Sequence, residues 1–396
     1  FRATDANLGS AGTLDLFKLY NENTIAGETS PIEFTRLLIK FPIAEITQMD
    51  TNGDIDINDS TFKCYVNLHD VYGGQTTPRN FRAILFPLAK DFDEGTGFDI
   101  VGFKDLGATN WITASYKNGT LTTWTLPGAS KSGSLGASGI DIITSGTVQG
   151  QSVPISLNAS QFFNSGMEDL NVDVTNFVSA SVKGLINNYG FLVAYSGSYE
   201  KDTNSYFVKR FASRNTANTA LRPKLIVEYD DSIIDNHGNF IFDYTGSLYL
   251  NNFSRNQASN IKKANNSDLE PTGAMILKIR SGSFSKNFTV SQVLRGKNRV
   301  TGLYSASFAL SSYQTDIKSA LRTNNQLEFT EIWSSPDETT TYLSSSFKVK
   351  KNERTSLQFR QRRLLATTLN LNDRYKQTDV TRIRIFIEAA DREVVF

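Results

Sequence analysis

The sequence predicts an all-β chain of sandwich domains with one or two helical inserts. Three observations carry this. Apolar and polar residues alternate with period two in many separate runs. Those runs are rich in Val, Ile, Phe, Tyr and Thr and are bounded by Gly, Asn, Asp and Ser. Helical spacing appears over only two stretches. At 396 residues the chain has length for about two to four domains, each able to bury a core.

Taken in order, residues 35–41 read T-R-L-L-I-K-F, with Leu37, Ile39 and Phe41 on an inner face and Leu38 and Lys40 on a wet one. Residues 61–69 set Phe62, Cys64, Val66 and Leu68 against Lys63, Tyr65 and Asn67. Further strands are expected at 82–88, 190–195, 224–229, 274–279, 304–310, 342–349, 364–371 and 381–387. Residues 171–186 read as the best helix. Val174, Phe177, Val178, Val182 and Leu185 recur at helical spacing there, with Thr175 as a candidate N-cap. Residues 313–321 read as a short second helix. Between Trp333 and Tyr342, the run S-P-D-E-T-T-T fits a hairpin with Pro336 and Asp337 at its turn. Residues 73–79, 128–150 and 251–268 read as long loops, the second a Gly/Ser-rich tract suited to a binding excursion or a mobile tip.

Composition narrows the function. Lys plus Arg is 41 and Asp plus Glu is 40, so the formal net charge is +1. A near-zero balance argues against a dedicated nucleic-acid binder. The single cysteine, Cys64, excludes an intrachain disulfide framework and a cysteine-based zinc cluster. Two histidines, His69 and His237, leave little for metal or acid–base chemistry, and both read as turn or surface residues. Asp91, Asp93 and Glu94 could serve a glycosidase in principle, but read rather as an acidic loop before the Trp111 region. No phosphate loop or serine elbow occurs, so no enzyme and no cofactor are expected. No run of about 18 apolar residues exists, so no membrane span is expected. The start at Phe1, without an initiator Met or a signal pattern, reads as a processed end or a piece of a longer protein. Charge is divided along the chain: residues 1–230 hold 18 basic and 24 acidic side chains, and residues 231–396 hold 23 and 16. The change of sign marks a domain boundary and lets one half attract the other half of a neighbour.

Three groups of side chains are candidates for chemistry or contact. In D-T-N-G-D-I-D-I-N-D, Asp50, Asn52, Asp54 and Asp56 alternate as oxygen donors, as at the start of a calcium loop. The match ends at Ile55, where Gly is expected, and at Thr61, where Glu is expected. The competing reading is a polar turn with side-chain bonds to its own backbone. Trp111, Tyr116 and Trp124 read either as flat platforms for a sugar ring or as core aromatics. The basic run Lys348, Lys350, Lys351, Arg354, Arg360, Arg362 and Arg363, against the single acid Glu353, reads as a solvated linker or as a contact for an acidic partner. Nucleic acid is the weaker reading, because only Phe359 interleaves the charges.

The motif order also resembles a known family. G-S-A-G-T-L-D-L (9–16), R-L-L-I-K-F (36–41), F-K-C-Y-V-N-L (62–68) and G-A-T-N-W-I-T (107–113) come first. D-V-T-N-F-V (173–178), N-Y-G-F-L-V (188–193), F-A-S-R-N (211–215) and R-P-K-L-I-V-E-Y (222–229) close the series. Together they resemble the DNRLRE-type domain, a jelly-roll β-sandwich similar to some carbohydrate-binding modules. In F-A-S-R-N, Arg214 is expected to hold a loop or strand end. G-L-Y-S-A-S-F-A-L (302–310), F-T-E-I-W (329–333) and Y-L-S-S-S-F-K-V (342–349) resemble an immunoglobulin-like sandwich. This order is similar to that in virion structural proteins of large marine tailed phages.

The resemblance implies a jelly-roll over 1–230 with a helical insert and an immunoglobulin-like sandwich over 231–350. A partial β unit over 351–396 is then continued by further sequence or completed by another chain. It implies a non-enzymatic virion component of a tailed bacteriophage, in capsid, neck, tail or baseplate, with other virion proteins and copies of itself as partners. The alternative is an adhesion module that recognises a host or environmental polysaccharide.

Overall fold

Strand-forming runs recur along the chain, and the computed structural model is accordingly all-β, with four short α-helices among the described residues. The described residues are 4–21, 32–71, 76–98, 107–148, 153–263, 265–352, 364–368 and 385–389. The chain divides into two compact units. One is Phe1–Ser232 with Leu294–Arg299; the other is Ile233–Val293 with Val300–Phe396.

In the first unit, three sheets share one core. One runs Tyr206–Ala212, Thr13–Tyr20, Ile32–Phe34; a second runs Ala159–Phe163, Phe81–Pro87, Phe191–Tyr195, Leu37–Ile39; a third runs Leu170–Asp173, Lys63–Leu68, Lys224–Glu228. A bridge between Asp70 and Phe211 links the first sheet to the third. The alternation of F-K-C-Y-V-N-L places Cys64, Val66 and Leu68 in the core with Phe81, Leu85, Phe163 and Val193. Phe81 stacks on Phe163 at 4.8 Å and meets Tyr195 edge-on at 5.3 Å. Burial pushes the Cys64 thiol up to about 12, so it behaves as a small core hydrophobe.

The outer face of the four-stranded sheet is apolar at Leu38, Phe86 and Leu192, which overturns the wet face expected for Leu38. Leu38 packs against a second small core of Leu88, Ala114, Trp124, Ala129, Ile142 and Leu192. This explains why F-L-V-A-Y (191–195) is buried throughout. The cover is a hairpin, Thr113–Lys117 with Thr120–Thr123. Its turn is Asn118-Gly119, with φ of +52° and +77°, the primed geometry that Asn-Gly favours.

The 128–150 tract is not a plain loop. Ser132–Ser134 pairs in parallel with Ile142–Gly146, and Ile140, Ile142, Ile143 and Val148 are buried. The four apolar side chains in a Gly/Ser-rich setting supply enough burial to dock it. Of the expected 73–79 loop, residues 73–75 lie outside the described residues. The expected helix at 171–186 is shorter, Thr175–Val182, and follows a strand, Leu170–Asp173. Thr175 is not its N-cap. Its hydroxyl accepts from the Cys64 N–H at 2.9 Å, and Gly184, at φ +72°, follows the helix end. Residues 251–268 contain a small hairpin, Phe253–Ser254 with Gln257–Ala258.

The second unit has seven strands in one continuous sheet, where the sandwich resemblance implies two. The order is Phe240–Ile241, Thr341–Lys350, Gln326–Ser334, Thr272–Ser281, Phe284–Arg295, Asn298–Ala309, Thr245–Asn251. Phe240–Ile241 and Thr245–Asn251 stand at opposite edges, yet residues 242–244 alone join them. So short a link reaches only about 10 Å, so the sheet curls nearly closed. A Cβ on Gly246 would lie 2.7 Å from the Phe240 ring, which places the two edges together. Leu277, Ile279, Phe329, Trp333, Phe347 and Val349 fill the inside. The 313–321 helix is present as Thr315–Ala320. The Trp333–Tyr342 hairpin forms around Asp337, whose carboxylate accepts from Ser335 Oγ and the Thr339 N–H. Leu364–Thr368 pairs antiparallel with Ile385–Ala389. The remaining residues of the strands expected at 364–371 and 381–387 lie outside the described residues.

Candidate functional site

The calcium candidates do not form a cation cradle. Residues 44–52 make a helix, Ala44–Asn52, so Asp50 and Asn52 lie in its last turn and not on a loop. Gly53, at φ +79°, caps it. Asp50 Oδ1 lies 2.6 Å from Lys297 Nζ, within the first unit, and accepts from the Ile57 N–H at 3.2 Å. Asn52 Oδ1 accepts from Gln48 Nε2, and Asp56 Oδ1 from the Asn58 backbone and side chain. That Asn58 N–H chiefly holds the Asp56 carboxyl below its ordinary value. Among the described residues no group of three or more His, Cys, Asp or Glu side chains is placed to hold a metal ion. The side-chain oxygens of Asp50, Asn52 and Asp56 bond local donors, and a lysine stands beside Asp50.

The three aromatics separate. Trp124 is 5% exposed, and its indole N–H donates to the Asn110 carbonyl at 3.1 Å. Its ring is core and offers no sugar-facing surface, which removes it as a platform. Trp111 is half-buried, edge-on to Phe34 at 5.1 Å, with the Arg36 guanidinium 5.5 Å from its ring centre. Arg36 is itself fixed by two bonds to Glu200, at 2.8 and 2.9 Å, and one to the Gly128 carbonyl. Tyr116 is 49% exposed on the outer hairpin, opposite the exposed Leu121.

Nearby, Asp91 bonds both Lys40 at 3.0 Å and Lys117 at 2.7 Å, and Asp93 accepts from the Tyr116 N–H. Burial would raise the Asp91 carboxyl, but the two lysines outweigh it and hold it low. An acid with a depressed value is a poor proton donor near neutrality. Glu94 pairs with Arg214 at 2.5 Å, both side chains being exposed.

Of the basic run, Lys348 and Lys350 lie on the exposed side of Thr341–Lys350, with Lys348 opposite Glu328. Lys351 Nζ reaches the Leu321 carbonyl at 3.4 Å, beyond the end of Thr315–Ala320. Arg354, Arg360, Arg362 and Arg363 lie outside the described residues.

Sequence reasoning missed several inward-facing charges. His237 is no plain turn histidine. Its Nδ1 lies 2.5 Å from Asp235 Oδ1, and its Nε2 lies 2.9 Å from Glu331 Oε2. Glu331 is 1% exposed and also takes a bond from the Trp333 indole at 3.3 Å. The signal lay in F-T-E-I-W, where Glu331 shares the inward face of Phe329 and Trp333. Lys209, fully buried, bonds Asp70 at 2.5 Å and the carbonyls of Gly166 and Glu168, over the rings of Phe163 and Phe211. Lys18, also fully buried, bonds Asp202 and the Tyr199 carbonyl. Asp141 accepts from the N–H groups of Thr125, Leu126 and Lys131 and pairs with Lys90. His69 Nδ1 lies 2.9 Å from Asp169.

No family model, curated protein or solved structure matches the chain.

Proposed function

We propose that this chain is a non-enzymatic structural component of a tailed-phage particle, acting through contacts with other virion proteins and with its own copies. The observation that carries the reading is the use made of charge. The inward-facing ions are each closed by intrachain partners: Lys18 by Asp202, Lys209 by Asp70, Asp141 by Lys90, Glu331 by His237. Such pairs fix loops and strand ends in one arrangement, which suits a rigid building block. The motif order supplies the phage setting. The opposite charge of the two halves supplies complementary surfaces for neighbouring copies.

The exposed ring of Tyr116 and the half-buried ring of Trp111 support the second reading, a glycan-binding adhesion module. The test is an electron-microscopy map of the particle together with a glycan array probed with the full chain. Ordered density for many copies and a silent array support the structural reading. Array binding that Tyr116→Ala abolishes, with no copies in the particle, overturns it.

A further inference from the structure

The geometry points to a homotypic contact through the strand Lys224–Glu228, K-L-I-V-E, in which a second copy of the chain adds across its open edge. Among the described residues this strand ends the order of its sheet and pairs with Lys63–Leu68 alone. Its bonding side follows from Cys64. The Cys64 carbonyl accepts from the Val174 N–H and its own N–H donates to Thr175, so Cys64 faces away from Lys224–Glu228. Bonding direction alternates along a strand. Lys63, Tyr65 and Asn67 therefore bond Glu228, Ile226 and Lys224, their register partners. The N–H and C=O groups of Leu225 and Val227 point outward, and among the described residues none bonds them.

The side chains suit the same contact. Leu225 and Val227 pack on the core and hold the edge in place. Lys224, Ile226 and Glu228 stand on the other face, with Ile226 36% exposed. A second copy laid antiparallel about Ile226 sets Leu225 against Val227 of that copy, so the outward groups exchange N–H···O=C bonds. Ile226 meets Ile226 in the close, non-hydrogen-bonded pair. Lys224 then meets Glu228 at both ends. A parallel arrangement would set Lys on Lys and Glu on Glu. A charged edge strand ordinarily discourages pairing; here the opposite charges sit symmetrically about the centre and favour one partner, this same strand. The contact is isologous and closes as a dimer. It deepens the assembly reading and rests on that reading for its role.

Sedimentation equilibrium of the full chain at low salt tests it. The wild type should show a concentration-dependent dimer. Lys224→Glu and Glu228→Lys should each weaken it by about tenfold or more, since two attractive pairs become repulsive. An equimolar mixture of the two single variants should associate again, and so should the double variant, because both restore Lys against Glu. Ile226→Arg should abolish dimerisation and serves as a second variant if a charge change disturbs folding. A monomeric wild type, or single variants that dimerise like it, overturns the contact. A chain that obeys the charge rule but is absent from particles overturns the assembly reading alone. A chain present in many copies that breaks the charge rule overturns the contact alone.

Discussion

His237 sits between two carboxylates and bonds one with each ring nitrogen. Only the doubly protonated ring donates from both nitrogens. The bond to Glu331, aided by Asp235 and opposed by burial, raises the His237 value above its ordinary 6.5. A raised folded value means that the added stability is complete below the unfolded value and is lost as pH rises through the folded one. Thermal melts of the second unit's transition should therefore fall between mildly acidic and mildly alkaline pH. His237→Gln should flatten that dependence. His237→Ala should cost about 1–3 kcal/mol at low pH, because Glu331 keeps only the Trp333 bond. Equal pH profiles in wild type and His237→Gln would refute the assignment. Lys209 makes the same argument with burial acting in the same direction and the net shift reversed. Desolvation lowers its value, offset in part by Asp70. Lys209→Met should cost about 3–5 kcal/mol in urea unfolding, since it strands the Asp70 carboxylate and two carbonyls.

Elements whose pattern is local were legible in the sequence; elements fixed by distant partners were not. The runs at 61–69, 82–88 and 342–349 became Lys63–Leu68, Phe81–Pro87 and Thr341–Lys350, because alternating burial is written in the residues themselves. The 128–150 tract was misread because composition dominates there, while its order depends on Asp141 collecting three backbone N–H groups from across a turn. The long helix at 171–186 was overread because Leu170, Val172 and Val174 fit a strand as well as a helix. The partner strand Lys63–Leu68 decides between them. Of the candidate sites, only residue types were legible. Whether a Trp is a platform or a core residue depends on what covers it, and Trp124 packs among Leu88, Ala114, Ala129, Ile142 and Leu192. Trp124→Ala should therefore cost about 3–5 kcal/mol locally. Amides of Thr113–Lys117 and Thr120–Thr123 should lose hydrogen-exchange protection, while those of Lys63–Leu68 keep theirs. Uniform loss across both would show that the small core is not a separate layer.

At the scale of the whole molecule, the dominant sequence feature is the division of charge, net −6 over residues 1–230 and net +7 over residues 231–396. On the proposed assembly reading, unlike halves attract between copies; contacts between different surfaces propagate into open chains or rings, whereas a self-complementary edge stops at two. A particle component that uses both kinds of contact can build an extended layer from dimers. The basic run from Lys348 to Arg363 is the densest positive segment of the chain and, on the proposed assembly reading, the place for an unlike-charge contact. Replacing Arg360, Arg362 and Arg363 together by Gln leaves the hydrophobic pattern intact and removes three positive charges. At about 0.2–1 kcal/mol for each exposed pair, association should weaken by roughly threefold to a hundredfold at physiological salt. The first unit should melt as before, because the substitutions lie outside its sequence. Added salt should weaken wild-type association toward the level of the variant, since exposed pairs are screened. Particle incorporation at the wild-type level by the triple variant would mean that the run is only a solvated linker and that the charge division has no part in assembly.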